Sequence, residues 1–378
     1  MGECVARHYR TGALCRLRWA DGRLHAVEPL GAGPEGGAAL RLAPALFDLQ
    51  VNGYGGLDFS RPEHVPAVAA ALARHGVARF LPTVTTASPE AMAGALRAIA
   101  AARGPETAAA VPGIHLEGPY ISPLDGPRGA HPAAHVRAPA WDHFAELQRA
   151  AGGAIRVVTL APELPGALAF IARAAAAGIL VAIGHTAADG DTIRAAAAAG
   201  ARLCTHLGNG LAATLDRHRN PLWPQLACRD LSASFIADGH HLPADALSAM
   251  MRAKGTDRCL LVSDAVPQAG LPPGRHTGIG GADVDVEADG SIRLHGTPYL
   301  AGSGAHLLGC AAWAAASGAA GAADALDMAS VGPARLLGMG GGAGDVLVYR
   351  EEPGGGWTAL LTVRAGAVLH DALGGGPG

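Results

Sequence analysis

A chain of 378 residues is long enough for one large domain with a small appendage, or for two of medium size. Hydrophobic residues make up 49% of it, ample for a sizeable core, and charged residues only 16%. The formal net charge of -3, spread without long blocks of one sign, excludes the basic footprint that nucleic acid or an anionic membrane would need.

The first 46 residues read differently from the centre. Leu14–Trp19 and Leu24–Val27 are β-prone and flank an Asp-Gly turn at 21–22, and a loop follows over Gly31–Gly37. So few strands cannot bury a core alone. The far end offers partners, because Asp345–Tyr349 and Trp357–Val363 also read as strands, ahead of a Gly-rich tail. The expectation is a small β-sandwich domain made from residues 1–46 and 343–378, flanking a central unit over 47–342.

The central unit alternates short apolar runs with helical ones. Strands are expected at Leu46–Val51, Ala78–Pro82, Val111–Leu116, Ile155–Leu160, Ile179–Ile183, Arg202–Thr205, Leu231–Ile236 and Arg258–Val262. Helices are expected at His64–His75, Pro89–Arg103, Trp141–Ala151, Pro165–Ala177, Asp189–Ala199 and Pro243–Arg252, with Ser88 capping the second. Eight strands in βα alternation predict an α/β fold, a closed (β/α)8 TIM-type barrel. GxxxxGK[ST] does not occur, and no GxGxxG stands between a predicted strand and a predicted helix, so the phosphate-cradling loops of open nucleotide-binding sheets are missing. Leu300–Ala323 has the least charge and reads as a loop running into a buried small-residue helix, not a membrane span. The six cysteines form no CxxC pair and no signal peptide is evident at the amino terminus, which points to a reduced, cytoplasmic protein.

Chemistry gathers where the apolar runs stop. Glu117, His185, His206 and Asp264 each close one. Polar residues at the carboxyl ends of successive strands are how such a barrel builds a catalytic face. A carboxylate and two imidazoles are enough to hold one divalent metal. A further carboxylate, Asp264, is placed to take a proton from water and hand it to a leaving nitrogen. A surface-loop Glu, structural histidines and a helix-capping Asp are the plain alternatives, and no compact zinc-finger or HExxH spacing is present to dismiss them. Strand alternation puts His115 on the face of Glu117, where it would support the metal ligands from behind. Strand seven ends in the pair His240 and His241, one of them a candidate substrate contact.

The chain resembles the N-acetylglucosamine-6-phosphate deacetylase family of the amidohydrolase superfamily. The likeness is carried by Phe47-Asp-Leu-Gln-Val-Asn-Gly-Tyr-Gly-Gly, Pro82-Thr-Val-Thr-Thr, Gly113-Ile-His-Leu-Glu-Gly-Pro-Tyr and Gly129-Ala-His-Pro. It continues through Gly184-His-Thr, Thr205-His-Leu-Gly-Asn, Ile236-Ala-Asp-Gly-His-His, Leu261-Val-Ser-Asp-Ala, Leu300-Ala-Gly-Ser and Met328-Ala-Ser-Val-Gly-Pro-Ala-Arg-Leu-Leu-Gly. Each piece alone is weak, but the ordered set runs almost end to end. It implies one divalent metal per subunit on Glu117, His185 and His206, best suited to Zn2+ with Fe2+, Co2+ or Mn2+ as substitutes, and Asp264 as catalytic acid and base. Many superfamily members bind a second metal through a His-x-His pair where this chain has Gln50 and Asn52, which are poor ligands.

The resemblance further implies substrate contacts from His131, Asn209, Gly210 and His241, and a homodimer whose neighbouring subunit helps to bind phosphate. The chain departs from the family pattern at Gly208, where an aromatic is common, and at His306, where Thr is usual but which is kept as a substrate contact. It departs again in Asp216-Arg-His-Arg-Asn-Pro, where Arg217 with His218 is the favoured phosphate reader and Arg219 the other choice. The implied substrate is an amino sugar phosphate, the implied reaction hydrolysis of its acetamido group. A related amidohydrolase acting on another N-acyl amino sugar or a cyclic amide is the alternative enzyme. A binding protein on a worn barrel is the alternative of another class.

Overall fold

The computed structural model describes residues 1–31, 39–278, 283–297, 299–340 and 344–374. From residue 32 on, the loop expected over Gly31–Gly37 lies outside the described residues, as does the end of the Gly-rich tail.

The amino-terminal strands are β1 (Gly2–His8), β2 (Leu14–Ala20), β3 (Arg23–Gly31) and β4 (Leu40–Pro44). The barrel strands are β5 (Leu46–Val51), β6 (Val77–Thr85), β7 (Ile114–Glu117), β8 (Ile155–Leu160), β9 (Leu180–Ile183), β10 (Ala201–Cys204), β11 (Ser232–Ile236) and β12 (Cys259–Val262). An insert carries β13 (Gly274–Thr277), β14 (Asp283–Val286) and β15 (Ile292–Leu294). The chain ends in β16 (Val346–Glu351), β17 (Trp357–Arg364) and β18 (Ala367–Asp371).

Strands β5 to β12 pair in sequence order into one parallel sheet. A bridge between Val51 and Ala265 brings its two edges together, with Asn52 N donating to Ala265 O (2.7 Å) and Asp264 N to Gln50 O (3.0 Å). The expected (β/α)8 barrel is thus formed, nearly closed, with its helices outside. Its lower interior is filled by Phe47, Leu49, Leu81, Val157, Ala182, Leu203, Ile236, Leu260 and Val262, and Ala334 and Leu337, at the helix Val331–Leu336, join the same cluster. Burying one such large side chain stabilises by roughly 1.5–3 kcal/mol. A packed interior of this kind leaves chemistry to the rim.

Helix boundaries follow local signals. Ser88 Oγ accepts from Ala91 N (3.2 Å) and caps Pro89–Ala102, whose first residue is proline. Asp189 likewise accepts from Thr192 N (2.8 Å) and caps Gly190–Ala199. β7 begins at Ile114, three residues later than expected, because Pro105–Ala110 forms a short helix that Val111 closes.

The small β domain comes from both termini, as expected. β1-β2-β3-β18-β17-β16-β4 are hydrogen-bonded into one closed seven-stranded ring, β1 meeting β4 in parallel. The Asp-Gly turn has positive φ at both residues, 50° and 70°, which matches the right-handed twist of the β2–β3 hairpin. An Arg79–Asp345 ion pair (2.6 Å) ties β6 to the segment leading into β16.

Candidate metal centre and catalytic face

The barrel delivers four side chains to one rim. Glu117 is the last residue of β7, while His185, His206 and Asp264 each sit two residues beyond β9, β10 and β12. Their backbones are unusual. Five described non-glycine residues have φ in the left-handed region, and three of them are His185 (50°), His206 (30°) and Asp264 (50°). Such positions cost on the order of 1–3 kcal/mol each and persist where a site requires them. Gly184, just before the first of them, lets neighbouring strands approach closely. A Cβ there would meet Thr159 Cγ2 at 2.8 Å and Thr205 Cβ at 2.9 Å.

Glu117, His185 and His206 are all buried and converge. Glu117 Oε1 lies 3.1 Å from His185 Nε2 and 2.9 Å from His206 Nε2, and the two Nε2 atoms are 3.1 Å apart. Ligands at about 2.0–2.1 Å around a tetrahedral ion would stand roughly 3.3 Å from one another, so this triangle fits one small divalent cation. His185 Nδ1 donates to Pro127 O (2.9 Å), which leaves its Nε2 as the free lone pair. Burial alone would push Glu117 upward. The proximity of His185 and His206 outweighs it and holds the carboxylate well below its usual range. Among the described residues this is the one cluster able to hold a metal.

Asp264 stands beside the triangle. Burial, then the charge of Glu117, pushes its carboxyl up to about 6. Its Oδ1 accepts from Asn52 Nδ2 at 2.7 Å. His131 is buried, and its ring packs edge-on against His185 with centroids 4.4 Å apart. Burial, then the neighbouring His185, brings its pKa down to about 3, so it is neutral. Its Nδ1 lies 2.8 Å from Thr86 Oγ1, and with Thr86 donating, Nε2 carries the proton and is left to donate.

The other expected residues fall in several places. His241 Nδ1 is held by Asp238 Oδ2 at 2.7 Å, and its charge acts on Asp264. His240 turns away, toward Asp289 O (3.3 Å). Asn209 hangs on His206 O through its backbone N (3.0 Å) and Nδ2 (3.3 Å). Gly210 lies against His185, where a Cβ would come within 2.9 Å of Nδ1. His115 does not touch the ligands. Its Nδ1 donates to Leu49 O (3.2 Å), and its Nε2 meets Thr159 Oγ1 (2.7 Å), which meets Thr205 Oγ1 (2.8 Å) next to His206.

His306 caps Leu307–Ala316 by accepting from Gly309 N (3.0 Å), and it stacks on His75 at 4.1 Å. Arg217, His218 and Arg219 are exposed on a turn that Asp216 Oδ1 ties to His218 N (2.9 Å) and Arg219 N (2.6 Å). Gly208 has a φ of 99°, and a Cβ there would come within 2.9 Å of Leu242 Cδ2. Sequence reasoning missed Thr86, Asp238 and the bond from Asn52 to Asp264. The partners of Thr86 and Asn52 are far off in the chain, while Asp238 lies three residues from His241, and all three residues fall inside the quoted motifs.

Relatives match this arrangement. An N-acetylglucosamine-6-phosphate deacetylase of Bos taurus is 39% identical over 315 residues, covering 79% of this chain and 75% of that one. An N-acetylgalactosamine-6-phosphate deacetylase of Escherichia coli O157:H7 is 34% identical over 337 residues, covering 88% and 87%. A mutant N-acetyl-D-glucosamine-6-phosphate deacetylase of Mycobacterium smegmatis, solved in complex with N-acetyl-D-glucosamine-6-phosphate, superposes with a TM-score of 0.83 at 29% identity, over 98% of this chain and 100% of that one. No family model matches the chain.

Proposed function

The chain belongs to the N-acetylglucosamine-6-phosphate deacetylase family of the amidohydrolase superfamily, and we propose that its rim residues divide the work of one reaction. That reaction is hydrolysis of the acetamido group of N-acetyl-D-glucosamine 6-phosphate to D-glucosamine 6-phosphate and acetate. The observation that carries the reading is the buried triangle of Glu117, His185 and His206 with Asp264 beside it.

Glu117, His185 and His206 would hold one divalent ion, with zinc the best match to a mixed nitrogen and oxygen donor set and iron, cobalt or manganese as substitutes. When bound, the ion supplies Lewis acidity, acidifying the attacking water and polarising the amide carbonyl. Asp264 takes a proton from the water as its oxygen attacks the carbonyl carbon. His131 donates from Nε2 to the oxygen on which charge develops. The C–N bond then breaks, Asp264 returns the proton to the departing amine, and acetate and the amino sugar phosphate leave.

His241, fixed by Asp238, and Asn209 with Gly210 form the sugar side of the site. His306 is a more distant contributor, since its Nδ1 is spent on the helix cap. Arg217, assisted by His218, reads phosphate from the neighbouring subunit of a homodimer. That role fits an exposed guanidinium on a tethered turn.

Relatives named for the galactosamine epimer favour a second reading, that epimer as substrate. Assaying N-acetylglucosamine and N-acetylgalactosamine, each with and without 6-phosphate, separates the two. The account expects strong preference for phosphorylated glucosamine. Higher kcat/KM on the galactosamine 6-phosphate transfers the function to the epimer, and equal use of free sugars removes phosphate recognition.

A further inference from the structure

We infer that Asn52 is a positioning residue for Asp264, fixing one carboxylate oxygen so that the other faces the attacking water. The inference rests on the reading of Asp264 as the base. Asn52 is buried at the carboxyl end of β5, and its Nδ2 donates to Asp264 Oδ1 at 2.7 Å. Its remaining side-chain polar atom, Oδ1, is buried with no hydrogen-bond partner in the protein. A buried acceptor left unsatisfied is costly, so this atom is placed to take a donor from what enters the chamber, a water O–H or the substrate amide N–H.

The backbone supplies the rest of the geometry. Asn52 N donates to Ala265 O and Asp264 N to Gln50 O, so the two residues are latched across the seam where β12 meets β5. These bonds do not involve the Asn52 side chain, so removing the amide leaves the seam in place. A neutral amide suits the task. It holds a carboxylate by one hydrogen bond without adding a charge that would quench its basicity, as an arginine would. Asn52 is therefore more than a residue that fails to bind a second metal. It organises the proton carrier.

The test uses Asn52→Leu, close in size but without a donor, and Asn52→Ser, polar but too short to reach. Each is made alone and in an Asp264→Asn background. Readouts are kcat and KM on N-acetyl-D-glucosamine 6-phosphate, metal content and thermal midpoint. Misplacing a reacting group by about 1 Å costs up to roughly 100-fold, so kcat should fall about 10- to 100-fold with KM nearly unchanged. Metal content and midpoint should hold, and neither substitution should cost more once Asp264 is Asn. Unchanged kcat, loss of metal in step with kcat, or full additivity with Asp264→Asn overturns the inference alone. Near-normal kcat in Asp264→Asn itself overturns the base assignment first, and the role of Asn52 with it.

Discussion

At the scale of the residue, the account turns on how ordinary groups are kept in useful protonation states. Burial and the charge of Glu117 push Asp264 up to about 6, while burial and His185 bring His131 down to about 3. One group is a base near neutrality and the other a neutral donor. The sign for the base is simple: Asp264 works ionised, so kcat/KM is constant above its pKa and falls as pH drops through it. A cation in the ligand triangle pulls that value down. The acid limb should therefore sit at or below about pH 6, and a pH profile of kcat/KM checks it. A limb well above pH 7 would assign the titration elsewhere.

Glu117, His185, His206 and Asp264 were legible in the sequence because each closes an apolar run. The bonds that fix Asp264 and His131 were not, since Asn52 and Thr86 reach them across the barrel through side-chain geometry that no local pattern encodes.

At the scale of the element, propensity and capping explain most boundaries. Ser88, with Pro89 behind it, sets the start of one outer helix. Ser88→Ala removes a cap worth typically about 1 kcal/mol. Denaturant unfolding should show a loss near that size with deacetylation unchanged, and a drop in activity of similar weight would mean that this helix end supports the site. All eight barrel strands were legible from their apolar runs, though several are four residues long and begin later than the run does. The insert β13–β15 was not foreseen, because its strands are only three or four residues long and rich in charged residues. β1, β4 and β18 also escaped notice. They mix polar and apolar residues in a ring where neighbours, not periodicity, fix the strand.

At the scale of the whole molecule, two closed sheets share one chain. The terminal ring depends on residues more than 300 positions apart, as Trp19 Nε1 donating to Asp371 Oδ2 (2.7 Å) illustrates. Sequence pattern suggested that the ends meet, while the order of the ring came only from the pairing. The barrel concentrates its metal-binding groups at one place among the described residues. Where a second site would need histidines stand Gln50 and Asn52, and Asn52 is already committed to Asp264. Metal analysis of purified protein should therefore find about one divalent ion per chain, and two tightly held ions would contradict the single-site reading.

The most direct test of the central claim is acetate release from N-acetyl-D-glucosamine 6-phosphate by wild type and Asp264→Asn, with metal content measured on the same samples. General acid–base catalysis contributes roughly 10^2 to 10^4, and asparagine keeps the shape but cannot accept the proton. The account predicts steady acetate release by wild type, a fall in kcat of about 10^2-fold or more in the variant, and equal metal in both. Near-normal release by a metal-loaded Asp264→Asn, or no release by metal-loaded wild type, would contradict it.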